Sequence, residues 1–242
     1  MKRTAHKPTG GTLTAEQLAR RVEIGEERRQ RMRKKLVDAA FRVFARMGFD
    51  GPTIDDFIAE AKVARGSFYN HFRTREELAQ AVADDYATQI NSNITPLISG
   101  LSNPAERLCL AFRLFTIYAV RDPTRGWVLI RMMPLLGGSL NTPMRLVVER
   151  DFTQAVENGF FKPAPIPILI DLGLGFLMMT VRTMLAQKHP QNYIDTAAEV
   201  LMQALGLKSE DAKNLSKKPL PDLGITKTSK TNKDFLDSCD FT

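Results

Sequence analysis

The chain is poor in the residues that staple, ligate or catalyse. Its 242 residues include only two cysteines, Cys109 and Cys239, too few for a disulfide framework and better suited to a reducing interior. Its three histidines, His6, His71 and His189, are scattered. No His, Cys, Asp or Glu set falls at metal-ligand spacing, so neither a metal nor a cofactor is expected. Neither cysteine has a neighbouring base, and no Gly-rich phosphate loop or nucleophile motif occurs, so an enzyme is not expected. The basic N-terminus leads into no apolar stretch of the kind a signal peptide requires. The longest apolar run, near residues 166–181, follows Pro163, Pro165 and Pro167 and is broken by Asp171. It falls short of the ~20 residues of a membrane span. The expectation from these absences is a cytoplasmic protein.

Charge of one sign is not scarce, but it is unevenly placed. The net charge is +7, from 34 Lys and Arg against 27 Asp and Glu. Residues 1–50 hold 13 basic and 6 acidic side chains, whereas the remaining residues balance to zero. An excess confined to one end points to a polyanion contacted by that end.

Residues 1–27 read as a flexible basic extension, with Pro8 and Gly10-Gly11 discouraging structure. Within it, Thr14 and Gln17 form a capping-box signature for a short helix whose continuation Gly25 weakens. From Arg28 a strong helical stripe begins: Leu36, Ala39, Ala40, Val43, Phe44 and Met47 share one face, and Gly48 ends it. Thr53 caps a helix over residues 54–61, Lys62-Val63 leaves room for a tight turn, and a second helix spans 64–72. Thr74 caps a third, running to about Ile94. Four or five longer helices follow, opened or closed at Pro104, Pro123, Pro134, Pro143, Gly159, Pro190 and Gly206. No β-like alternation persists, so the fold class is all-α. Residues 28–78 form one domain, 79–207 a second, and 208–242, rich in Lys, Ser, Thr, Asp and Pro, read as a disordered tail.

The two short helices at 53–72 carry the chemistry. Ile54, Phe57, Ile58, Ala61 and Val63 supply an inner face, as do Phe68 and Phe72, four apart. Arg65, Ser67, Tyr69, Asn70 and His71 are left outside, and Gly66 is small enough for close approach. A helix-turn-helix lays its second helix in the major groove. Arg reads guanine, Asn reads adenine, and Ser and Tyr reach phosphate. Periodicity alone also fits any amphipathic helical hairpin.

The run LVDAAFRVFARMGFDGPTIDDFIAEAKVARGSFYNHFRTREEL at 36–78 resembles the N-terminal DNA-binding domain of tetracycline-repressor (TetR) family regulators. The resemblance rests above all on its G-S-F-Y-N-H-F-x-T-R-E-E-L segment. It implies an N-terminal three-helix bundle with a helix-turn-helix and a C-terminal helical domain, about nine helices in all. It also implies a homodimer, joined through its last two long helices, that binds a small-molecule effector. Carried over by position, it assigns Thr53 to phosphate and Arg65, Ser67 and Asn70 to base edges, while Tyr69, His71 and Arg75 become backbone clamps. Two positions depart from the family pattern: Lys62 stands where Gly is usual, and Ala64 where a Ser or Thr cap is usual. Lys62 could compensate by touching phosphate.

The basic run Arg28–Lys35 abuts this motif, so Arg33 and Lys34 are further phosphate candidates, and Lys2, Arg3 and Lys7 could enter an adjacent minor groove. In the second domain Phe112, Phe115, Trp127, Arg131, Met132, Phe176 and Met179 are the candidate effector lining, although plain core is the simpler reading of any one of them. Arg131 and Arg182 each sit on an apolar face and need an anion or a route to water; an anionic effector is one reading, and an interface ion pair or snorkelling is the simpler one. Gly173 and Gly175 allow close helix approach at a dimer interface. Cys109, flanked by leucines, reads as small core. The function expected is a ligand-responsive, sequence-specific transcriptional regulator, taken as a repressor, that binds a palindromic operator as a homodimer. The alternative is a dimer of the same fold that binds small molecules or acts as a scaffold, having lost specific DNA recognition. Lys62 and Ala64 are its only support.

Overall fold

The computed structural model describes residues 14–132, 142–190 and 192–221, whose regular elements are all helices. His6, Met133, Pro134, Cys239 and the basic arm with Lys2, Arg3 and Lys7 lie outside these segments. The described residues hold ten helices. These are α1 (Ala15–Met47), α2 (Ile54–Ala61), α3 (Arg65–Tyr69), α4 (Arg75–Ile98), α5 (Pro104–Arg121), α6 (Pro123–Met132), α7 (Thr142–Glu157), α8 (Ile166–Ala186), α9 (Tyr193–Leu205) and α10 (Ser209–Ser216).

Two compact units emerge. Among the described residues, one comprises 14–89, 119–132 and 142, the other 90–118, 143–190 and 192–221. These units change within α4, near the end of α5 and at the start of α7.

In the first unit, α1 is continuous over 33 residues. Its start is the expected capping box, with the Thr14 amide donating to Gln17 Oε1 at 3.1 Å and the Gln17 amide to Thr14 Oγ1 at 3.3 Å. Gly25 does not break the helix, because the good helix formers around it outweigh the roughly 1 kcal/mol that a lone interior glycine costs. The short helix expected before residue 28 is thus the first half of a long one. Burial begins only at Leu36 and continues through Val37, Ala39, Ala40, Val43 and Phe44. Gly48 then takes φ +75°, closing the helix on the Phe44 carbonyl. Against this face packs α2: Phe57 meets Phe44 edge-on at 5.2 Å, and Glu60 receives both Arg42 (2.7 Å) and Arg46 (3.1 Å).

In the second unit, α8 and α9 bury Leu169, Ile170, Leu177, Met178, Val181 and Leu185, and Ala198, Leu201, Met202 and Leu205. At 21 residues α8 is long and apolar enough to cross a membrane by length and composition. The expectation that this stretch is too short is therefore corrected, since the helix continues past Arg182 to Ala186. Its other face, however, exposes Asp171 and Arg182. Gly173 serves a contact inside the chain: a Cβ there would lie 2.9 Å from the Phe152 ring of α7. Gly175 faces open space. Arg107 and Asp151 form a buried pair at 3.0 Å, and Arg113 joins Asp195 at 2.9 Å. Residues 209–216, expected as part of the disordered tail, are α10, which buries Ala212 and Ser216. Polar composition hid a helix tied down by two small residues. Burial pushes the Cys109 thiol up to about 12, so it stays protonated as a small core residue.

Candidate nucleic-acid interface

The site is built on two short helices. Thr53 opens α2: its Oγ1 accepts from the Asp56 amide at 3.4 Å and donates to Asp56 Oδ2 at 2.7 Å. Asp56 also receives the Thr53 amide at 2.7 Å, and these bonds, the backbone one foremost, hold its carboxyl below the usual carboxylate range. The Thr53 hydroxyl is thus engaged in capping rather than free for phosphate. Lys62 closes α2 in the left-handed region at φ +50°, ψ +57°, and no other non-glycine among the described residues has positive φ. An L-residue there costs roughly 1–2 kcal/mol. Lys62→Gly should remove that strain at the expense of some unfolded-chain entropy, for a net gain of about 0.5–1 kcal/mol. Thermal melts should show a rise of roughly 1–4 °C.

Ala64 begins α3 with no side-chain cap. The regular helix is only Arg65–Tyr69, shorter than the expected 64–72. The chain nonetheless keeps turning, with His71 and Phe72 amides donating to the Phe68 carbonyl at 2.9 Å each. Phe68 and Phe72 are buried. Arg65, Gly66, Tyr69 and Asn70 are exposed, and Ser67 and His71 are half-exposed. The structure therefore brings the expected base-edge residues to one open rim. Arg65 rests on Asp55 at 2.8 Å, with its guanidinium 5.9 Å from the Tyr69 ring. Water screens so exposed a pair, so Arg65 can exchange Asp55 for another acceptor at little cost. Partial burial, then the charges of Arg29 and Arg33, push the His71 pKa down. Those two arginines place the α1 basic stretch beside the end of α3.

Three expected contacts lie elsewhere. Lys34 is held by Asp38 (2.8 Å) and by Asp85 of α4 (3.2 Å), so it ties α1 to α4. Arg75 turns inward, donating to the Phe49 carbonyl and lying 4.9 Å over the Phe49 ring. It braces the turn after α1 instead of standing free as a clamp. Arg131 finds its anion in Asp50, at 3.1 Å, and lies 5.7 Å over the same Phe49 ring. Nothing in the spacing of these residues announced the Phe49 box. Its only sequence signal is an aromatic placed directly after the helix-ending Gly48. Arg33, by contrast, is exposed and rests 5.3 Å over Phe72.

The candidate effector residues divide between the units. Phe112 and Phe115 are buried in the second, with Phe112 stacked on Phe176 at 6.0 Å. Met179 is 54% exposed, on the outer face of α8 rather than among lining residues. In the first unit Met132 is buried, Trp127 is half-buried, and Arg131 is exposed and paired as above.

Comparison with known proteins matches two domain models in order along the chain. The family model for bacterial regulatory proteins of the tetR family matches residues 36–82. The model for the tetracyclin repressor-like C-terminal domain matches residues 103–218. The HTH-type transcriptional repressor DhaR of Mycobacterium sp. (strain GP1) is 32% identical over 76 residues, covering 31% of this chain and 38% of DhaR. The HTH-type transcriptional regulator HbdR of Aromatoleum sp. (strain CIB) is 26% identical over 151 residues, 58% of this chain and 63% of HbdR. The chain thus spans less than two thirds of the length of either relative. Among solved structures, RolR in complex with resorcinol superposes with a TM-score of 0.61 at 22% identity, over 82% of this chain and 99% of RolR. With both domain models matched in order along one all-helical chain, the protein belongs to the tetR family of bacterial regulatory proteins.

Proposed function

We propose that the chain is a dimeric, sequence-specific DNA-binding regulator, acting as a repressor, whose C-terminal unit takes a small-molecule effector. One observation carries this reading: Phe68 and Phe72 lock α3 down from inside while Arg65, Gly66, Tyr69 and Asn70 stay open on its outer rim. Support for a second copy comes from α8, which exposes Ile168, Leu172 and Met179 around the uncovered Gly175. With Val200 of α9, also exposed, this face suits a four-helix bundle across a two-fold axis. Phe112, Phe115 and Phe176 supply apolar, aromatic surface toward an effector in the second unit, and RolR, of the same fold, binds resorcinol. The effector would act by favouring a spacing of the two α3 helices that no longer matches successive grooves.

The test is to sequence duplexes retained by the purified protein, with and without candidate metabolites. A recovered palindrome, released by a metabolite, supports the reading, and retention without sequence preference overturns it. On the recovered palindrome, Arg65→Ala should cost about 1–3 kcal/mol, some 5- to 150-fold, while leaving random-sequence affinity nearly unchanged. Arg33→Gln should weaken both duplexes alike. Fluorescence anisotropy on the two duplexes reads both effects, and equal losses for Arg65→Ala would remove it from base recognition.

A further inference from the structure

The first half of α1 stands outside the packed unit. Residues 14–31 are exposed without interruption, Met32 is half-buried, and core burial starts at Leu36. From Ala15 to Lys35 the helix extends about 30 Å at 1.5 Å per residue. An isolated helix of this length gains nothing from hydrophobic packing, yet its charges are sorted. At about 100° per residue, Arg21, Arg28, Arg29, Arg33 and Lys35 fall within an arc of roughly 160°. Leu18, Val22, Gly25 and Met32 share that arc. All four glutamates of the segment, Glu16, Glu23, Glu26 and Glu27, fall on the other side. There Arg31 is paired with Glu27 at 3.5 Å, and Lys34 with Asp38 and Asp85. On the basic arc no carboxylate of the described residues lies within ion-pair distance of Arg21, Arg28, Arg29, Arg33 or Lys35. Gly25 sits near the middle of the arc, with nothing within 4 Å of where a Cβ would be. A bulky strand of phosphates can therefore approach the helix backbone at that point. The arc also continues to the recognition surface, because Arg29 and Arg33 act on His71 and Arg33 lies over Phe72.

We infer that the exposed half of α1 is a second DNA-binding element, a basic helical rail that follows the phosphate backbone flanking the half-site read by α3. The inference rests on the DNA-binding reading above. B-form DNA carries one negative charge per about 1.7 Å of axis, so a rail of this length faces many phosphates. Its contribution is independent of sequence and is read as salt dependence.

The full-length chain and a random-sequence 40-base-pair duplex provide the test, with affinity measured from 50 to 200 mM salt. Neutralising two arc residues, Arg21→Gln with Arg28→Gln, should lower the log–log salt slope by about 1.8 in magnitude, at 0.9 per phosphate. Across that salt range the variant then loses roughly tenfold less affinity than wild type. Arg20→Gln with Arg31→Gln removes the same charge from outside the arc and should leave the slope near wild type. Gln is a good helix former, so both variants keep α1. Equal slope changes for the two pairs would reduce the effect to net charge and overturn the rail. An unchanged slope in the first pair with a weakened dimer would assign the face to a second copy, again overturning it. In either case wild-type binding to the duplex leaves the α3 reading standing, whereas no wild-type binding to any duplex removes both.

Discussion

Asp151→Ala should lower the unfolding free energy by about 3–5 kcal/mol, the cost of leaving a buried charge without its partner. Asp151 is 2% exposed and Arg107 8%. The Arg107 guanidinium is shared among Asp151 Oδ1 (3.0 Å), Gln154 Oε1 (2.6 Å) and the Leu101 and Ser102 carbonyls (2.7 and 3.2 Å). It thus ties α7 to the turn that precedes α5. Removing the carboxylate leaves a positive charge among dipoles too weak to neutralise it. Arg150, also on Asp151 at 2.9 Å, is more than half exposed, so it returns to water at little cost. Differential scanning calorimetry should show the melting temperature fall by roughly 10 °C. The double variant Arg107→Met with Asp151→Leu should recover part of the loss, because an apolar pair carries no desolvation penalty. Recovery should be incomplete, since the Leu101 and Ser102 carbonyls lose their donor. A single variant as stable as wild type would show that water already reaches the pair.

Much of the first unit was legible because its signals are local. Thr14 with Gln17, Thr53 with Asp56, Thr74 with Glu77 and Gly48 each act within a few residues of themselves, and each forms the cap its chemistry dictates. The stripe from Leu36 to Phe44 is likewise a matter of period. What sequence could not show is where a long side chain turns once the fold exists. Lys34 and Arg75 looked available and Arg131 only in need of an anion, yet their partners Asp85, Phe49 and Asp50 lie 51, 26 and 81 positions away. Gly25 misled for a different reason, since an unfavourable residue costs less than the helix around it contributes. In α10 only Ala212 and Ser216 are buried, too sparse a pattern for periodicity to reveal.

Phe68→Ala should be as damaging to the first unit as Asp151→Ala is to the second, and it should also abolish duplex binding. Phe68 is fully buried, with Phe72 at 6.1 Å and Tyr69 edge-on at 5.4 Å. Truncating a buried Phe costs about 3–5 kcal/mol through lost transfer energy and the cavity left behind. Helix α3 has little else to hold it: five residues are too few to be stable alone, and Ala64 offers no cap. Its position is therefore set from the inside, by the same ring whose neighbours Arg65, Tyr69 and Asn70 face out. Loss of the ring lets α3 open locally before the unit unfolds. Duplex affinity should then drop by more than tenfold even well below the melting temperature. Phe68→Leu, which keeps most of the apolar volume, should retain binding and lose less than half as much stability. Anisotropy titrations alongside thermal melts separate these outcomes. If Phe68→Ala bound duplex as tightly as wild type, the rim of α3 could not be the surface that meets DNA.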